Sequence, residues 1–264
     1  MFKPTHTPNN AYRQDYPALS LPQISVIIPV YNGAEYLPAA VASIWEQNYA
    51  PLDVIIVDDG STDATAQVVA SLACDPRRAA LRYVYQANRG PSAARNRGIR
   101  LAQADFVTFL DADDYWLPAT LHRHLRYLLA HPAVQGVQGM THPFRTLAAA
   151  PNYPDPADAN IPATPPVEWA PITWSPKLDS GLYRRTVFAR VGLLNENLRY
   201  SEDLDWILRA REQGVTITQL PEVAIAYRRH AHNSTNDLAR TERAKFAAIQ
   251  ASLQRRKRTA KPTT

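Results

Sequence analysis

A continuous run of mostly apolar, β-branched residues, Ile24–Val30, constrains the fold more than any other stretch of this chain. Runs of this kind are typical of strands that a parallel sheet buries on both faces. A tight turn at residues 31–33 follows, and apolar residues then recur at helical spacing between residues 34 and 47. This order of strand, turn and helix predicts the opening βαβ unit of an α/β fold.

The same pattern is repeated further along the chain, and polar residues stand where each strand ends. Residues 52–57 stop at Asp58, and residues 81–85 lead to a helix that begins near Pro91 and carries Arg95. The carboxyl ends of parallel strands meet at one edge of the sheet, where open α/β proteins bind ligands. A helix N-terminus beside an arginine favours an anion such as a diphosphate, although an ordinary capped helix with surface arginines explains this segment equally well.

A fourth predicted strand, residues 106–110, runs directly into three carboxylates, Asp111, Asp113 and Asp114. Side chains two apart on an extended chain point the same way, so we expect Asp111 and Asp113 to share one side. Two close carboxylates repel unless a cation lies between them, and Mg²⁺ is commonly held by one or two carboxylates plus substrate phosphates. The alternative is a solvated acidic turn, since short acidic motifs are frequent by chance.

The regular alternation weakens after this strand. Residues 151–176 are rich in proline and alanine, which predicts a long lid or binding loop without packed elements. A helix is expected to begin at Ser201, and capping and the helix dipole explain its acidic first turn as well as chemistry does. The last predicted strand, residues 223–227, precedes His230 and His232, each of which is either a metal ligand or a structural histidine.

Composition excludes several classes of protein. The 264 residues contain one cysteine, and neither a signal peptide nor a run of 18 apolar residues is found, so we expect a cytoplasmic protein. The glycines match neither the GxGxxG pattern of dinucleotide-binding proteins nor the GxxxxGK pattern of P-loop proteins. A dehydrogenase and a P-loop NTPase are therefore not expected.

The net charge of +5 is concentrated in the C-terminal segment. Residues 240–264 hold eight Lys or Arg and one acid, a local +7 that leaves about −2 on the rest of the chain, so no nucleic-acid partner is expected. Phe246, Ile249 and Leu253 recur there at helical spacing among the basic residues, which is the pattern of an amphipathic helix that lies on an anionic membrane. A solvated, disordered terminus is the alternative.

Seven motifs, taken in order, resemble those of glycosyltransferase family 2 of the GT-A fold: SVIIPVYNGAEYL, VDDGSTD, NRGPSAARNRG, FLDADD, SGLYRRTVFARVG, SEDLDW and YRRH. The resemblance covers most of the chain. It implies one Rossmann-like domain, residues 23–235, whose mostly parallel central sheet is flanked by helices. Residues 23–115 would form the nucleotide-sugar half and residues 116–235 the acceptor half, between a flexible leader at residues 1–22 and a basic tail at residues 236–264.

The resemblance also implies roles for individual residues. Asp203 falls on the acid that acts as general base, and the acceptor side would include Glu202 and Trp206. The residues that fall on the donor nucleotide site are Pro29, Tyr31, Asp58, Arg95 and Asp111. The implied ligands of a divalent cation, Mg²⁺ or Mn²⁺, are Asp111, Asp113 and His230. His232 has no counterpart in the family pattern.

The implied activity is that of an inverting glycosyltransferase, which moves a sugar from a nucleotide sugar, with UDP as the expected nucleotide, to an acceptor hydroxyl. A glycan or lipid-linked acceptor is expected, as in bacterial surface polysaccharide or glycolipid synthesis, either in the cytoplasm or at the inner face of the plasma membrane. Two alternatives stay open: a non-catalytic nucleotide-sugar or glycan-binding module, and a nucleotidyltransferase on a similar sheet, in which the SEDLDW and YRRH segments would lack a role.

Overall fold

The first half of the chain forms the predicted parallel sheet. A computed structural model describes residues 21–74, 81–146, 167–173, 176–231 and 233–259, so nearly all of the predicted leader, and His232, lie outside it. Four parallel strands lie in the order β3-β2-β1-β4 and comprise β1 (Ile24–Val30), β2 (Leu52–Asp58), β3 (Leu81–Tyr85) and β4 (Phe106–Phe109). The helices between them are α1 (Leu37–Trp45), α2 (Thr65–Ala73) and α3 (Pro91–Leu101). The register pairs Val30 with Asp58, so the strand ends meet at one edge.

The second half extends the same sheet, mainly by antiparallel pairing. Its strands are β5 (Tyr115–Trp116), β6 (Gly136–Thr146), β7 (Val167–Trp169), β8 (Gly181–Arg184) and β9 (Ile217–Arg228). Strand β8 runs antiparallel to β4 and is followed outward by β6, β9 and β5, while β7 pairs with β6. The helices are α4 (Thr120–Ala130), α5 (Thr186–Val191), α6 (Glu202–Glu212) and α7 (Leu238–Thr259). The predicted α/β class, with a mostly parallel central sheet flanked by helices, is confirmed.

The core explains why the first strand reads as a continuous apolar run. Ile24, Val26 and Ile28 are fully buried in the cluster on one face of the sheet, together with residues of α1 and α4. Ile27 is fully buried in the cluster on the other face, together with residues of α3, α5 and α6. Both faces of β1 therefore need apolar side chains, which hides the alternation that a half-exposed strand shows.

Two segments differ from the expectations. The predicted structureless loop at residues 151–176 contains β7, which pairs with the end of β6, while residues 147–166 lie outside the described part of the chain. The C-terminal segment is a helix that packs on α6, where Arg255 reaches Glu212 at 2.6 Å and Asp205 at 3.3 Å. The alternative of a disordered terminus is therefore wrong for residues 238–259. Among the described helices, none has the length and apolar character needed to cross a membrane.

Candidate functional site

The turn after β1 is fixed by hydrogen bonds to the turn after β2. Asn32 donates its backbone N–H to the Ser61 hydroxyl and accepts the backbone N–H of Thr62 on its side chain, both at 2.8 Å. Asn32 has a φ of 49°, which asparagine tolerates better than most residues. Tyr31 is thereby left 54% exposed at the carboxyl edge of the sheet, whereas Pro29 is buried within β1. Of these two predicted nucleoside contacts, Tyr31 offers a side-chain surface and Pro29 does not.

Asp58, at the end of β2, is buried and already has two partners. Its carboxylate accepts the backbone N–H of Ser61 at 2.8 Å and the Tyr83 hydroxyl at 2.5 Å. Burial, and after it the hydrogen bond to Asp58, raise the pKa of Tyr83, so the phenol keeps its proton. A nucleoside that reaches Asp58 would therefore have to share this carboxylate with Tyr83 or displace its hydroxyl.

Asp59, which follows directly, organises the loop that leads into α3. Its carboxylate accepts the backbone N–H groups of Arg89 at 2.9 Å and Gly90 at 2.7 Å. Gly90 has a φ of 92°, a conformation in which a side chain would be strained. Asp59 thus sets the start of the helix that carries Arg95.

The three aspartates after β4 lie in a tight turn rather than in an extended segment. The backbone N–H of Asp114 donates to the carbonyl oxygen of Asp111 at 3.1 Å. The prediction that Asp111 and Asp113 share one side of an extended chain is therefore wrong, because the turn rotates successive side chains by less than the half-turn of a strand. Because of the turn, the three carboxylates contact different side chains: Asp111 contacts Arg95, Asp113 contacts His230 and Asp114 contacts Lys177.

Arg95 connects the first of these aspartates to α6. Its guanidinium is almost fully buried and lies 2.6 Å from Asp111 Oδ1, 2.8 Å from Glu202 Oε1 and 3.9 Å from Asp203 Oδ1. Burial disfavours the charge, but the three carboxylates outweigh it and raise the pKa of Arg95 further. Burial is likewise outweighed at Asp111, where Arg95 and then Lys177 lower the pKa. The structure thus brings together four residues that were predicted on the donor, acceptor and base sides of one site.

Asp203 is the least satisfied carboxylate of this group. Its Oδ2 accepts the backbone N–H of Leu178 at 3.3 Å, while the buried Oδ1 has no hydrogen-bond partner among the described residues. Burial is the main cause that raises the pKa of Asp203 to about 8; Arg95 opposes it, and Glu202 and Asp111 add to it. A carboxyl group of this kind takes up and releases a proton near neutral pH, which is what general acid–base catalysis requires.

A second charged cluster surrounds Lys177, which sequence reasoning did not single out. Its Nζ lies 2.8 Å from Asp179 and 3.1 Å from Asp114, and 4.0 Å from the centre of the Tyr227 ring. Both carboxylates are almost completely buried. Burial raises the pKa of Asp114 and of Asp179, and Lys177 acts in the opposite direction as their counter-ion.

This second cluster fits a divalent cation. Carboxylate oxygens of Asp111, Asp114 and Asp179 lie within 4.8 Å of one another. Apart from the ion pair with Lys177, neither oxygen of Asp179 has a hydrogen-bond partner in the described part of the chain. Buried carboxylate oxygens without hydrogen bonds suit hard ions such as Mg²⁺ or Mn²⁺. Of the three predicted ligands, only Asp111 belongs to this cluster.

The other two predicted ligands, Asp113 and His230, contact each other. Asp113 Oδ2 lies 3.0 Å from His230 Nε2 and 3.4 Å from Asn233 Nδ2. The imidazole also stacks on the ring of Tyr36, with 4.7 Å between the ring centres. The stack orients His230 toward Asp113, whose side chain stays partly exposed and open to a ligand from solvent.

Trp206 does not line the acceptor side. Its side chain is fully buried, stacks on Phe188 with 4.9 Å between ring centres, and donates its indole N–H to the carbonyl oxygen of Gly192 at 2.9 Å. The prediction for Trp206 is wrong because this side of α6 packs against α5. Glu202 is also mostly buried, and its carboxylate is taken up by Arg95.

The residues that sequence reasoning missed differ in how strongly the sequence indicates them. Asp114 is named in the acidic run after β4 but is given no role, and its place in that run is the available signal. Asp179 stands next to the SGLYRR motif, so its position alone points to the site. Lys177 and Asn233 have no spacing or periodicity that would reveal them, because long-range contacts bring them to the site.

Comparison with known proteins gives one consistent assignment. Residues 25–151 match the family model described as Glycosyl transferase family 2. An uncharacterized glycosyltransferase of Haemophilus influenzae is 37% identical over 124 residues, which are 47% of each chain. The uncharacterized glycosyltransferase EpsJ of Bacillus subtilis is 27% identical over 232 residues, which are 81% of this chain and 63% of EpsJ. The chain thus spans less than two thirds of the length of these relatives.

Solved structures give the same fold at lower identity. Residues 1–349 of S. aureus TarS in complex with UDP align with a TM-score of 0.61 and 21% identity, over 86% of this chain and 65% of that one. The mannosyltransferase PcManGT from Pyrobaculum calidifontis, in complex with GDP-Man and Mn²⁺, aligns with a TM-score of 0.66 and 23% identity, over 88% of this chain and 64% of that one. These similarities confirm the predicted GT-A fold.

Proposed function

We propose that the chain, whose residues 25–151 match the model of glycosyltransferase family 2, is a member of that family and moves a sugar from a nucleoside-diphosphate sugar to an acceptor hydroxyl with inversion of the anomeric centre. The observation that carries the proposal is the shared contact of Arg95. One buried guanidinium lies 2.6 Å from Asp111, on the predicted donor side, and 3.9 Å from Asp203, the predicted base. This contact supports the proposal, because it brings a residue predicted on the donor side and the predicted base to one side chain.

Asp203 is the residue that we assign to proton transfer. Its buried Oδ1 has no hydrogen-bond partner among the described residues, and its pKa of about 8 lets it act as a base near neutral pH. Asp203 takes the proton of the acceptor hydroxyl, the acceptor oxygen bonds to the anomeric carbon, and the bond from that carbon to the diphosphate breaks. General-base help of this kind is worth roughly 10² to 10⁴ in rate.

The donor is proposed to bind at the carboxyl edge of β1 and β2. Tyr31 offers an exposed ring there, and Asp58 offers a carboxylate that now holds the Tyr83 hydroxyl. TarS is known in complex with UDP and with UDP-GlcNAc, and PcManGT in complex with GDP-Man. We propose a UDP-sugar as the donor, with GDP-sugars as the first alternative to test.

A divalent cation, Mg²⁺ or Mn²⁺, would supply positive charge to the departing diphosphate when bound. Two sets of residues could hold such an ion, and Asp111 belongs to both. One set adds Asp114 and Asp179, whose oxygens lie close to those of Asp111, and the other is the predicted set with Asp113 and His230. Arg95 and Lys177 already supply positive charge at Asp111, as the lowered pKa of this aspartate indicates.

The acceptor is proposed to be a glycan or a lipid-linked sugar, as in bacterial surface polysaccharide or glycolipid synthesis. Helix α6 would face it, since Glu202 and Asp203 stand in its first turn. The reaction is placed in the cytoplasm or at the inner face of the plasma membrane, where one cysteine in 264 residues suits the reducing conditions.

The test is release of nucleoside diphosphate from a panel of UDP- and GDP-sugars, with a broad set of acceptors and with Mg²⁺, Mn²⁺ or EDTA. We expect the protein to release nucleoside diphosphate from one donor class, and the Asp203→Asn variant to release it roughly 10² to 10⁴ times more slowly. Asp205→Asn, on the same helix but paired with Arg209 and Arg255, is the matched control and should keep turnover. Binding of a sugar nucleotide without release would favour the non-catalytic module. Pyrophosphate release from a nucleoside triphosphate and a sugar phosphate would favour the nucleotidyltransferase.

A further inference from the structure

Helix α7 presents a stripe of apolar side chains to solvent. Phe246 is 68% exposed, Leu253 50% and Ile249 46%. These residues are three or four positions apart, so they line one side of the helix. The opposite side holds Ala248 and Ser252, which are buried where α7 packs on the protein. Packing on α6 therefore uses one side of α7, and none of the described residues covers the apolar stripe on the other. Scattered single apolar residues are ordinary on a protein surface, whereas a contiguous stripe marks an interaction site.

The stripe lies between basic side chains. Leu238–Thr259 contains seven Lys or Arg and one acid. At about 100° per residue, Arg243 and Lys257 fall on one flank of the stripe. Lys245, which is paired with Glu242 at 2.9 Å, and Arg256, whose charge acts on Glu212, fall on the other flank. Arg255 points the opposite way and holds the helix to Glu212 at 2.6 Å. An apolar stripe with basic flanks, on a helix anchored from behind, is the arrangement of a helix that lies in a membrane interface.

We propose that this face of α7 docks on an anionic lipid bilayer, with Phe246, Ile249 and Leu253 in the interface and Arg243 and Lys257 on lipid headgroups. The charge decides in favour of a bilayer over a second copy of the chain. Two copies joined along the stripe would bring two sets of basic flanks together, whereas anionic lipids neutralise them. This inference rests on α7 alone and does not depend on the proposed sugar transfer.

The position of α7 gives the docking a consequence for the site. Arg255 of α7 contacts Asp205, which stands two residues after Asp203 in α6. If the proposed function also holds, a docked α7 places the helix that carries the base next to the membrane surface. The acceptor would then be met at that surface, which suits a lipid-linked sugar.

Co-sedimentation with lipid vesicles, without nucleotide, tests the docking. The vesicles are made of phosphatidylcholine alone or of phosphatidylcholine mixed with phosphatidylglycerol, at salt concentrations of about 0.1 M and 1 M. We expect binding to the anionic vesicles at low salt, at least about tenfold weaker binding at high salt, and weak binding to the neutral vesicles. Equal binding to neutral and anionic vesicles at both salt concentrations would overturn the proposal.

Two variants separate the apolar stripe from the charge. Phe246→Ser/Ile249→Ser/Leu253→Ser should bind anionic vesicles at least about tenfold more weakly, since it removes three interfacial side chains. Arg243→Glu/Lys257→Glu should weaken binding to anionic vesicles by a similar factor, since reversing two charges lowers the net charge of this face by about four units. The matched control is Ile172→Ser, which removes an equally exposed apolar residue far from α7 in sequence and should bind as the parent does. Because all of these side chains are exposed, circular dichroism and thermal midpoints should stay unchanged.

Three further results would overturn the proposal. The first is vesicle binding that the triple serine variant retains. The second is the absence of binding to anionic vesicles by the parent protein. The third is a dimer, seen by light scattering, that the triple variant dissociates while vesicles bind neither protein, because the stripe would then be an interface between copies of the chain.

Discussion

Replacement of Asp203 by asparagine should slow turnover strongly and, above pH 5, stabilise the fold. Asparagine keeps the shape of the side chain and can still accept the backbone N–H of Leu178. Asparagine cannot ionise. It therefore avoids the free-energy cost of burying a carboxyl group that would be ionised in water. The variant therefore separates the catalytic role of Asp203 from the destabilisation that its buried carboxyl group causes.

The magnitude follows from the pKa. Burial raises the pKa of Asp203 from 3.8 to about 8, so between these pH values the folded chain keeps a proton that the unfolded chain has lost. The contribution of Asp203 to stability is then fully present below about pH 4, falls by about 1.4 kcal/mol per pH unit, and is lost once the pH passes about 8. Asparagine has no such dependence, so the free energy of unfolding of the variant relative to the parent should rise by a few kcal/mol, up to about 4, between pH 5 and pH 8.

Urea denaturation at each pH unit from 5 to 8 measures this difference. We expect the difference between variant and parent to grow with pH, while turnover falls by roughly 10² to 10⁴ and the parent's kcat/KM rises toward pH 8. Asp205→Asn is the control, and it should be less stable than the parent because it loses ion pairs to Arg209 and Arg255. A difference that stays constant with pH would refute the assigned protonation, and near-normal turnover would refute the base.

Three further predictions concern the basic side chains of the site. Arg95→Met leaves three carboxylates without their cation and should lower the free energy of unfolding at pH 7 by about 3 to 5 kcal/mol; unchanged urea denaturation would contradict its central place. Lys177→Met should lower the thermal midpoint. Addition of Mg²⁺ or Mn²⁺ should raise the midpoint of this variant more than that of the parent, because an added cation replaces the ammonium group beside Asp114 and Asp179. An equal rise in both proteins would contradict that cluster as a cation site. His230→Ala should weaken Mn²⁺-dependent nucleotide binding, measured by calorimetry, by roughly 10- to 100-fold; unchanged affinity would contradict its place beside the metal.

The parallel half of the fold could be predicted because local signals agree there. Ile24–Val30 is mostly apolar since both faces of β1 are covered, and the turn and helix that follow it have their own sequence patterns. Strand β7 could not be predicted, because a three-residue strand after a proline-rich segment exists only through its pairing with β6. The helical pattern of residues 246–253 was visible, whereas its orientation was not, since the ion pairs of Arg255 decide which side faces the protein.

The sequence motifs predicted which acids lie in the site, but they did not predict how the side chains are oriented where a turn replaces an extended segment. Asp111 and Asp203 are brought together by Arg95, and the motifs contain all three. The turn at Asp111 to Asp114 contradicts the alternation expected of a strand because a backbone hydrogen bond closes it. Trp206 stands in a motif but packs in the core, which a spacing in sequence cannot distinguish from a surface role.

The most direct test of the account is the anomeric configuration of the first product, read by NMR before any anomerisation. A single base at Asp203, with direct displacement of the diphosphate by the acceptor, predicts a product whose anomeric configuration is opposite to that of the donor. A product that keeps the donor's configuration would contradict the displacement, and with it the role given to the buried carboxyl group of Asp203.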